Sequence, residues 1–397
     1  MDTDRLLQVS TSLADELSDP ADHAGCHPQS LADGAAGIAV LHLERAAQHL
    51  GDPALGHRFL AAAVTGGLHT GSTASPFFGT PAVAYALHAA ARSGRYVRVH
   101  DIVDHGVADV VQRRLDHAQA RIERGDAPAL GEFDALYGLT GLAAHLLRHD
   151  PHGVQTRRVI EYLVRLTHPL PGSGGLPGWW SCQPLKSRNT DTTGGHSNHG
   201  MAHGISGVLA ALALAERNSI GVTGQREAIE RICTWLDTWQ QPHPSGPWWP
   251  EIVTLEDLRR RTPRQLRPSR PSWCYGTPGI ARAQQLAALA LHDEARRDLA
   301  EAAILGCIND PQQLAQITES GLCHGAAGLF QTAWRMAADS VTDTLTGHLP
   351  GLAEQLLPDK PNPESGLLMG RAGLALAQTT AATSTVVTDW DAFMVLR

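Results

Sequence analysis

The stretch SWCYGTPGIARAQQLAALALHD, residues 272–293, carries a cysteine, a Gly-x-x-Gly and an apolar, alanine-rich segment in that order. LCHGAAGLFQTA at 322–333 repeats the order. Scanning outward for the same signature finds Gly-x-x-Gly beginning at Gly34, Gly138, Gly204, Gly276, Gly325 and Gly370, and a seventh copy at Gly79 in which Ala82 replaces the second glycine. The spacings are 45, 59, 66, 72, 49 and 45 residues, each long enough for one helical hairpin and its loops. Every copy opens a segment such as GVLAALALAERN (207–218), whose propensity and period favour helix. Between copies run amphipathic segments, for example REAIERICTWLDTWQ (226–240) and DEARRDLAEAAILGCI (293–308). The pattern predicts an all-α chain of seven inner and seven outer helices. Glycines at this place allow close backbone approach and a sharp turn into the helix.

Stacked helix pairs form an open solenoid or close into a ring. The inner segments are apolar nearly all round, and the terminal TDWDAFMVLR offers Trp390, Phe393 and Leu396 to seal the last unit, so a closed α/α toroid is expected. It would be a single domain over 1–397, with loop insertions around 168–200 and 241–272, where HPLPGSGGLPGWW and QPHPSGPWWP fall. With 32 basic and 40 acidic side chains the chain has no nucleic-acid footprint. The N-terminus lacks the order of a signal peptide and no stretch has bilayer-spanning length, which points to the cytoplasm. Six cysteines in 397 residues are too sparse for a disulfide framework.

In a ring of equivalent repeats, residues at one offset before the first glycine share one rim. One residue before it stand Asp33, Phe78, Tyr137, His203, Tyr275, His324 and Met369. Two before it, Cys274 and Cys323 stand among Ala32, Phe77, Leu136, Ala202 and Leu368. Two cysteines at this offset in consecutive repeats, one followed directly by His324, suit three ligands of one zinc ion, with a fourth position open. The alternative is that they are small buried residues. That alternative is adopted for Cys233 and Cys307, while Cys26 and Cys182 are given no role. His203 is a candidate acid/base group. Asp134 and Arg270 fall near the same rim, although they read equally well as a helix cap and a solvated charge. His196 and His199 are read as loop residues.

The AHG of His203, the WCYG of Cys274 and the CHG of Cys323, in that order and with Gly-x-x-Gly throughout, resemble the signature motifs of the lanthionine synthetase C-like (LanC) cyclases. The resemblance runs from the LADGAAG at 31–37 to the tail. It implies an α/α toroid of seven helical hairpins, zinc held by Cys274, Cys323 and His324, and an active site lined by His203, Asp134, Arg270 and Tyr275. It also implies an activity: a cysteine thiol adds to dehydroalanine or dehydrobutyrine in a ribosomally made peptide, closing a lanthionine or methyllanthionine thioether. The partners would be the dehydrated precursor peptide, leader plus core, with a separate dehydratase and a transporter of the same pathway. The cytoplasmic protein would then sit at the edge of a membrane-associated biosynthetic complex.

Three other readings compete. A non-catalytic adaptor would use the zinc to capture thiols such as glutathione. A prenyltransferase-like toroid would also activate a peptide thiol on zinc, but would need an aromatic-lined cavity that 5% aromatic content does not suggest. A toroidal glycosidase would need a positioned carboxylate pair and has no use for two cysteines.

Overall fold

The computed structural model describes residues 2–23, 27–90, 97–184, 191–357 and 360–397. In chain order the helices are Thr3–Glu16 (α1), Ala35–Ala47 (α2), Pro53–Val64 (α3), Thr80–Ala90 (α4), Val97–Arg124 (α5), Leu130–Phe133 (α6), Leu139–His149 (α7), Val154–Leu166 (α8) and Ile205–Arg217 (α9). They continue as Gln225–Trp239 (α10), Leu255–Arg260 (α11), Thr277–Leu291 (α12), Glu294–Ile308 (α13), Pro311–Leu314 (α14), Ala326–Asp339 (α15), Thr344–Glu354 (α16) and Arg371–Thr383 (α17). Among the described residues, seven helices begin directly after the first glycine of a repeat: α2, α4, α7, α9, α12, α15 and α17. Seven more, α1, α3, α5, α8, α10, α13 and α16, are the outer set, and α6, α11 and α14 are short turns in connections.

The glycine pattern has a local cause. At Gly204 a Cβ would lie 2.4 Å from the Asn198 carbonyl oxygen, and at Gly207 it would lie 2.5 Å from that of Met201. The same holds at Gly325 and Gly328, where a Cβ would come 2.5 Å from the Glu319 oxygen and 1.9 Å from that of Leu322. The loop leading into each helix folds back over the helix's first turn, and the two glycines are where its backbone lies against the helix. The close approach is therefore to the helix's own leading loop. Gly276 adds a backbone requirement, since its φ of 122° is one that L side chains rarely adopt.

Inner helices are buried almost all round. Every residue from Ile205 to Ala215 in α9 is buried, whereas the outer α10 buries one stripe through Ala228, Ile229, Ile232, Cys233, Leu236 and Trp239. The chain divides into two compact units, Met1–Val110 with Ile317–Ala392, and Val111–Gln316 with Phe393–Arg397. In the first unit the inner helices neighbour one another in the order α15, α17, α2, α4, and α1 serves as the outer partner of α17. The first and last repeats are thus neighbours there. In the second unit the inner order is α7, α9, α12, with α8, α10 and α13 outside.

Both long loops belong to the second unit and are more ordered than sequence suggests. His196–Asn198 (β1) pairs antiparallel with Ile252–Thr254 (β2), in the register His196 to Thr254 and Asn198 to Ile252. Indole donors fix the loops: Trp179 Nε1 to Ser197 Oγ at 2.9 Å, Trp180 Nε1 to the Gly194 carbonyl at 3.0 Å and Trp249 Nε1 to the Leu236 carbonyl at 3.0 Å.

Trp390 is buried in the first unit, and Phe393 and Leu396 are buried and belong to the second unit. A buried cation on α12 holds the end of the tail there: the Arg282 guanidinium is 1% exposed, and its Nε and a terminal nitrogen donate to the Leu396 carbonyl at 2.9 and 2.6 Å. Trp273 Nε1 likewise donates to the Met394 carbonyl at 2.8 Å. In the first unit, buried Asp391 accepts two bonds from Arg335 and one from Gln331, each at 2.6 Å.

Candidate active site

Main-chain bonds between successive leading loops put equal offsets, or offsets one residue apart, side by side. In the second unit the Ala135 N–H donates to the Ala202 carbonyl at 2.9 Å, and the Ala202 N–H donates to the Cys274 carbonyl at 3.3 Å. In the first unit the same relation runs from the Cys323 N–H to the Leu368 carbonyl at 2.9 Å, and from the Leu368 N–H to the Ala32 carbonyl at 3.0 Å. Residues one or two before the glycine therefore gather at one rim within each unit, as the shared offset implies.

In the second unit this brings Asp134, His203, Tyr275 and Cys274 onto neighbouring loops. Asp134 ends α6 with extended backbone and is 1% exposed. Its Oδ1 accepts the N–H groups of Tyr137 and Gly138 at 2.6 and 3.0 Å, so it closes the turn that leads into α7, whose N-cap is Gly138 with no side-chain bond. Its Oδ2 lies 2.7 Å from His203 Nδ1. Asp134 is thus a turn-closing residue through one oxygen and the partner of His203 through the other, not a helix cap. With Nδ1–H held by a buried carboxylate, the second ring nitrogen, Nε2, is the one left with a lone pair to accept and return a proton. The His203 side chain is 26% exposed, so that nitrogen is within reach of a substrate.

Two phenols lie against the imidazole. Its ring centre is 5.9 Å from that of Tyr137, with 21° between planes, and 6.0 Å from that of Tyr275, with 33°. Tyr275 Oη accepts from Asn198 Nδ2 at 2.9 Å, and Asn198 Oδ1 accepts the Gly200 N–H at 2.9 Å. Strand β1 thereby fixes both Tyr275 and the turn into His203. Ser272 Oγ donates to the Tyr275 carbonyl and lies 3.8 Å from the buried Cys274 Sγ. Arg270 heads the same loop, its carbonyl oxygen 2.5 Å from where a Cβ on Gly276 would stand. The Arg270 Nε is buried with no hydrogen-bond partner, which suits an anion and disagrees with a merely solvated charge.

In the first unit, Cys323 and His324 precede α15. The His324 Nε2 meets a Glu319 carboxylate oxygen at 2.7 Å.

The remaining described cysteines are core or surface residues. Burial pushes the thiols of Cys233 and Cys307 up to about 12, which leaves them inert at neutral pH. Cys182 is exposed, and Cys26 lies outside the described residues. His196 sits on β1 and so is not a loop residue, whereas His199 does lie in the loop that follows; both are fully buried, with their pKa pushed down to about 4 by burial. Neutral His199 is satisfied on both sides, Nδ1 donating to the Pro250 carbonyl and Nε2 accepting from Trp235 Nε1, each at 2.9 Å. Residue-type reasoning passed over Tyr137, Asn198 and Glu319. Only Tyr137 carried a signal, standing at the same offset as His203 and Tyr275.

Comparison with known proteins adds three findings. Residues 25–377 match the family model described as lanthionine synthetase C-like protein. The nisin biosynthesis protein NisC of Lactococcus lactis subsp. lactis is 24% identical over 340 residues, covering 84% of this chain and 79% of that protein. A solved structure of nisin cyclase matches with a TM-score of 0.77 at 21% identity, over 99% of this chain and 97% of the other. That likeness shows the fold class, the α/α toroid expected from the repeats. No helix among the described residues is long and apolar enough to cross a membrane.

Proposed function

Since the chain belongs to the lanthionine synthetase C-like family, we propose that it is a zinc-dependent peptide cyclase. It adds cysteine thiols to dehydroalanine or dehydrobutyrine of a ribosomally made precursor, forming lanthionine or methyllanthionine rings. Its two compact units act as one domain. The observation that carries the reading is the Asp134–His203 pair at 2.7 Å, beside the loop of Tyr275 and Cys274. A thiol-binding adaptor has no use for an oriented imidazole of this kind.

Cys274, Cys323 and His324 are a candidate Cys/Cys/His donor set. Two thiols and an imidazole are donors that suit zinc, and three protein ligands leave one position open. Bound there, zinc would hold a substrate thiol in its nucleophilic, deprotonated form. The reaction forms a C–S bond at the β-carbon and breaks the C=C π bond, and the electron pair moves to an enolate. One proton leaves the thiol and one reaches the α-carbon. His203 Nε2 is placed to take up and return that proton, with Asp134 fixing the ring through Nδ1. The Arg270 guanidinium, with its buried Nε unbonded, suits the enolate charge.

The partner is a leader-and-core precursor already dehydrated by a separate dehydratase, in a pathway that also includes a transporter. The free thiols of the site fit a reducing compartment such as the cytoplasm. The experiment is incubation with the dehydrated precursor, then thiol alkylation and mass spectrometry. Cyclisation leaves mass unchanged, so disappearance of alkylatable thiols is the readout. Thiols that persist while the peptide binds would favour the adaptor.

A further inference from the structure

The imidazole of His324 is not held by its backbone alone. Its Nε2 lies 2.7 Å from Glu319 Oε2, the two side chains being 20% and 45% exposed. An imidazole offers a metal one nitrogen, and which one is decided by what holds the other. We propose that Glu319 is the positioning residue of His324: its carboxylate accepts the Nε2–H, fixes the tautomer and presents Nδ1 as the metal-binding nitrogen. This rests on the reading of His324 as a zinc ligand.

The backbone makes the contact a fixed one. The Ala326 N–H donates to the Glu319 carbonyl at 3.0 Å, the Ala327 N–H to that of Ser320 at 3.2 Å, and the Gly325 N–H to that of Gly321 at 3.0 Å. Glu319 and His324 therefore start from one closed loop against the first turn of α15. The chain carries its own control. The seventh repeat reads ESGLLMG at 364–370 against ESGLCHG at 319–325. Its loop closes in the same way, with the Arg371 N–H on the Glu364 carbonyl at 2.9 Å and the Ala372 N–H on that of Ser365 at 3.2 Å. There Met369 occupies the place of His324, so Glu364 has the same loop position without an imidazole to orient. An exposed histidine–carboxylate pair adds little to stability, so removing the Glu319 side chain should leave the fold intact and act on the metal.

The test measures zinc affinity by competition with a chromophoric chelator, alongside thermal melting, for the full-length protein and its variants. Glu319→Ala should weaken zinc binding about tenfold or more, the usual effect of removing such a partner, with an unchanged melting midpoint of the zinc-free protein. Glu319→Gln keeps an acceptor oxygen and should recover part of the affinity, and Glu364→Ala should match the parent. If Glu319→Ala binds zinc as the parent does, while His324→Ala loses it, the role of Glu319 is refuted and the ligand assignment stands. If the parent takes up no zinc, or His324→Ala holds it with parental affinity, the zinc reading itself falls and takes this proposal with it. Equal weakening in Glu319→Ala and Glu364→Ala would assign the glutamate to loop structure and overturn the proposal.

Discussion

Replacing Asp134 by Asn separates the two tasks of that side chain. Oδ1 receives the Tyr137 and Gly138 N–H groups, and the amide oxygen of Asn can take over both bonds. Oδ2 receives His203 Nδ1–H, and the Asn amide nitrogen cannot accept it. The ring then has either an unpaired Nδ1–H or the opposite tautomer, with its proton on Nε2 and no lone pair facing substrate. Loss of one charge-assisted bond to the imidazole is worth about 2 kcal/mol. That is about a thirtyfold fall in rate, and the tautomer change adds to it. The turn bonds survive, so stability should fall by about 1 kcal/mol or less. Single-turnover cyclisation, followed by thiol alkylation at timed intervals, reads the rate, while metal analysis and thermal melting check the scaffold. Cyclisation at the parental rate under chemistry-limited conditions would refute the role given to the pair. Loss of zinc in this variant would mean that Asp134 acts on the metal and not on His203.

Three further outcomes are expected. The purified protein should hold about one zinc per chain, and Cys274→Ala, Cys323→Ala and His324→Ala should each lower occupancy while Cys233→Ala does not; full retention in all three would remove the ligand assignment. His203→Asn should keep zinc and fold but lose about a hundredfold or more of the cyclisation rate, an expectation defeated if the metal leaves with the histidine. Acid should destabilise the second unit through His196 and His199, whose folded pKa of about 4 lies below the usual 6.5. Between those values the unfolded chain binds protons that the fold excludes, so stability is full above about pH 6.5 and falls by up to about 1.4 kcal/mol per pH unit per histidine below it. Urea unfolding midpoints that stay level from pH 7 to pH 5 would contradict this.

Most of the helical scaffold was legible because one physical constraint recurs seven times. A loop that folds over its own helix favours glycine at two fixed places, both filled by it in six repeats and the first alone in the second repeat, and that preference is written directly in residue type. The three-residue strands β1 and β2 were not legible, because their pairing joins segments more than fifty residues apart and neither is long enough to show a period. The strand position of His196 and the burial of both His196 and His199 were hidden for the same reason: only the strand pairing and the surrounding indoles bury them. Offset reasoning placed His203, Tyr275, Cys274, Cys323 and His324 on their loops. It passed over Glu319, which reaches His324 from five residues upstream by the length of its side chain. The anchoring of the tail on Arg282 was not legible because the acceptors that Arg282 uses are carbonyls, and a carbonyl has no letter in the sequence.

A ladder of main-chain bonds joins one leading loop to the next, beside the side-chain bonds already described. Along it stand Ala32, Ala202, Cys274, Cys323 and Leu368, which differ in size and polarity while their N–H or carbonyl groups serve the same ladder. The rim is in effect a row of interchangeable sockets, each able to change its occupant without loosening its neighbours. Reactivity on such a scaffold can be gained, moved or lost by one or two substitutions that the fold does not register. Kinship in fold is therefore a weaker guide to chemistry here than the identity of a few rim residues, and the same indifference makes Ala32 and Leu368 natural places to build a second donor set by design.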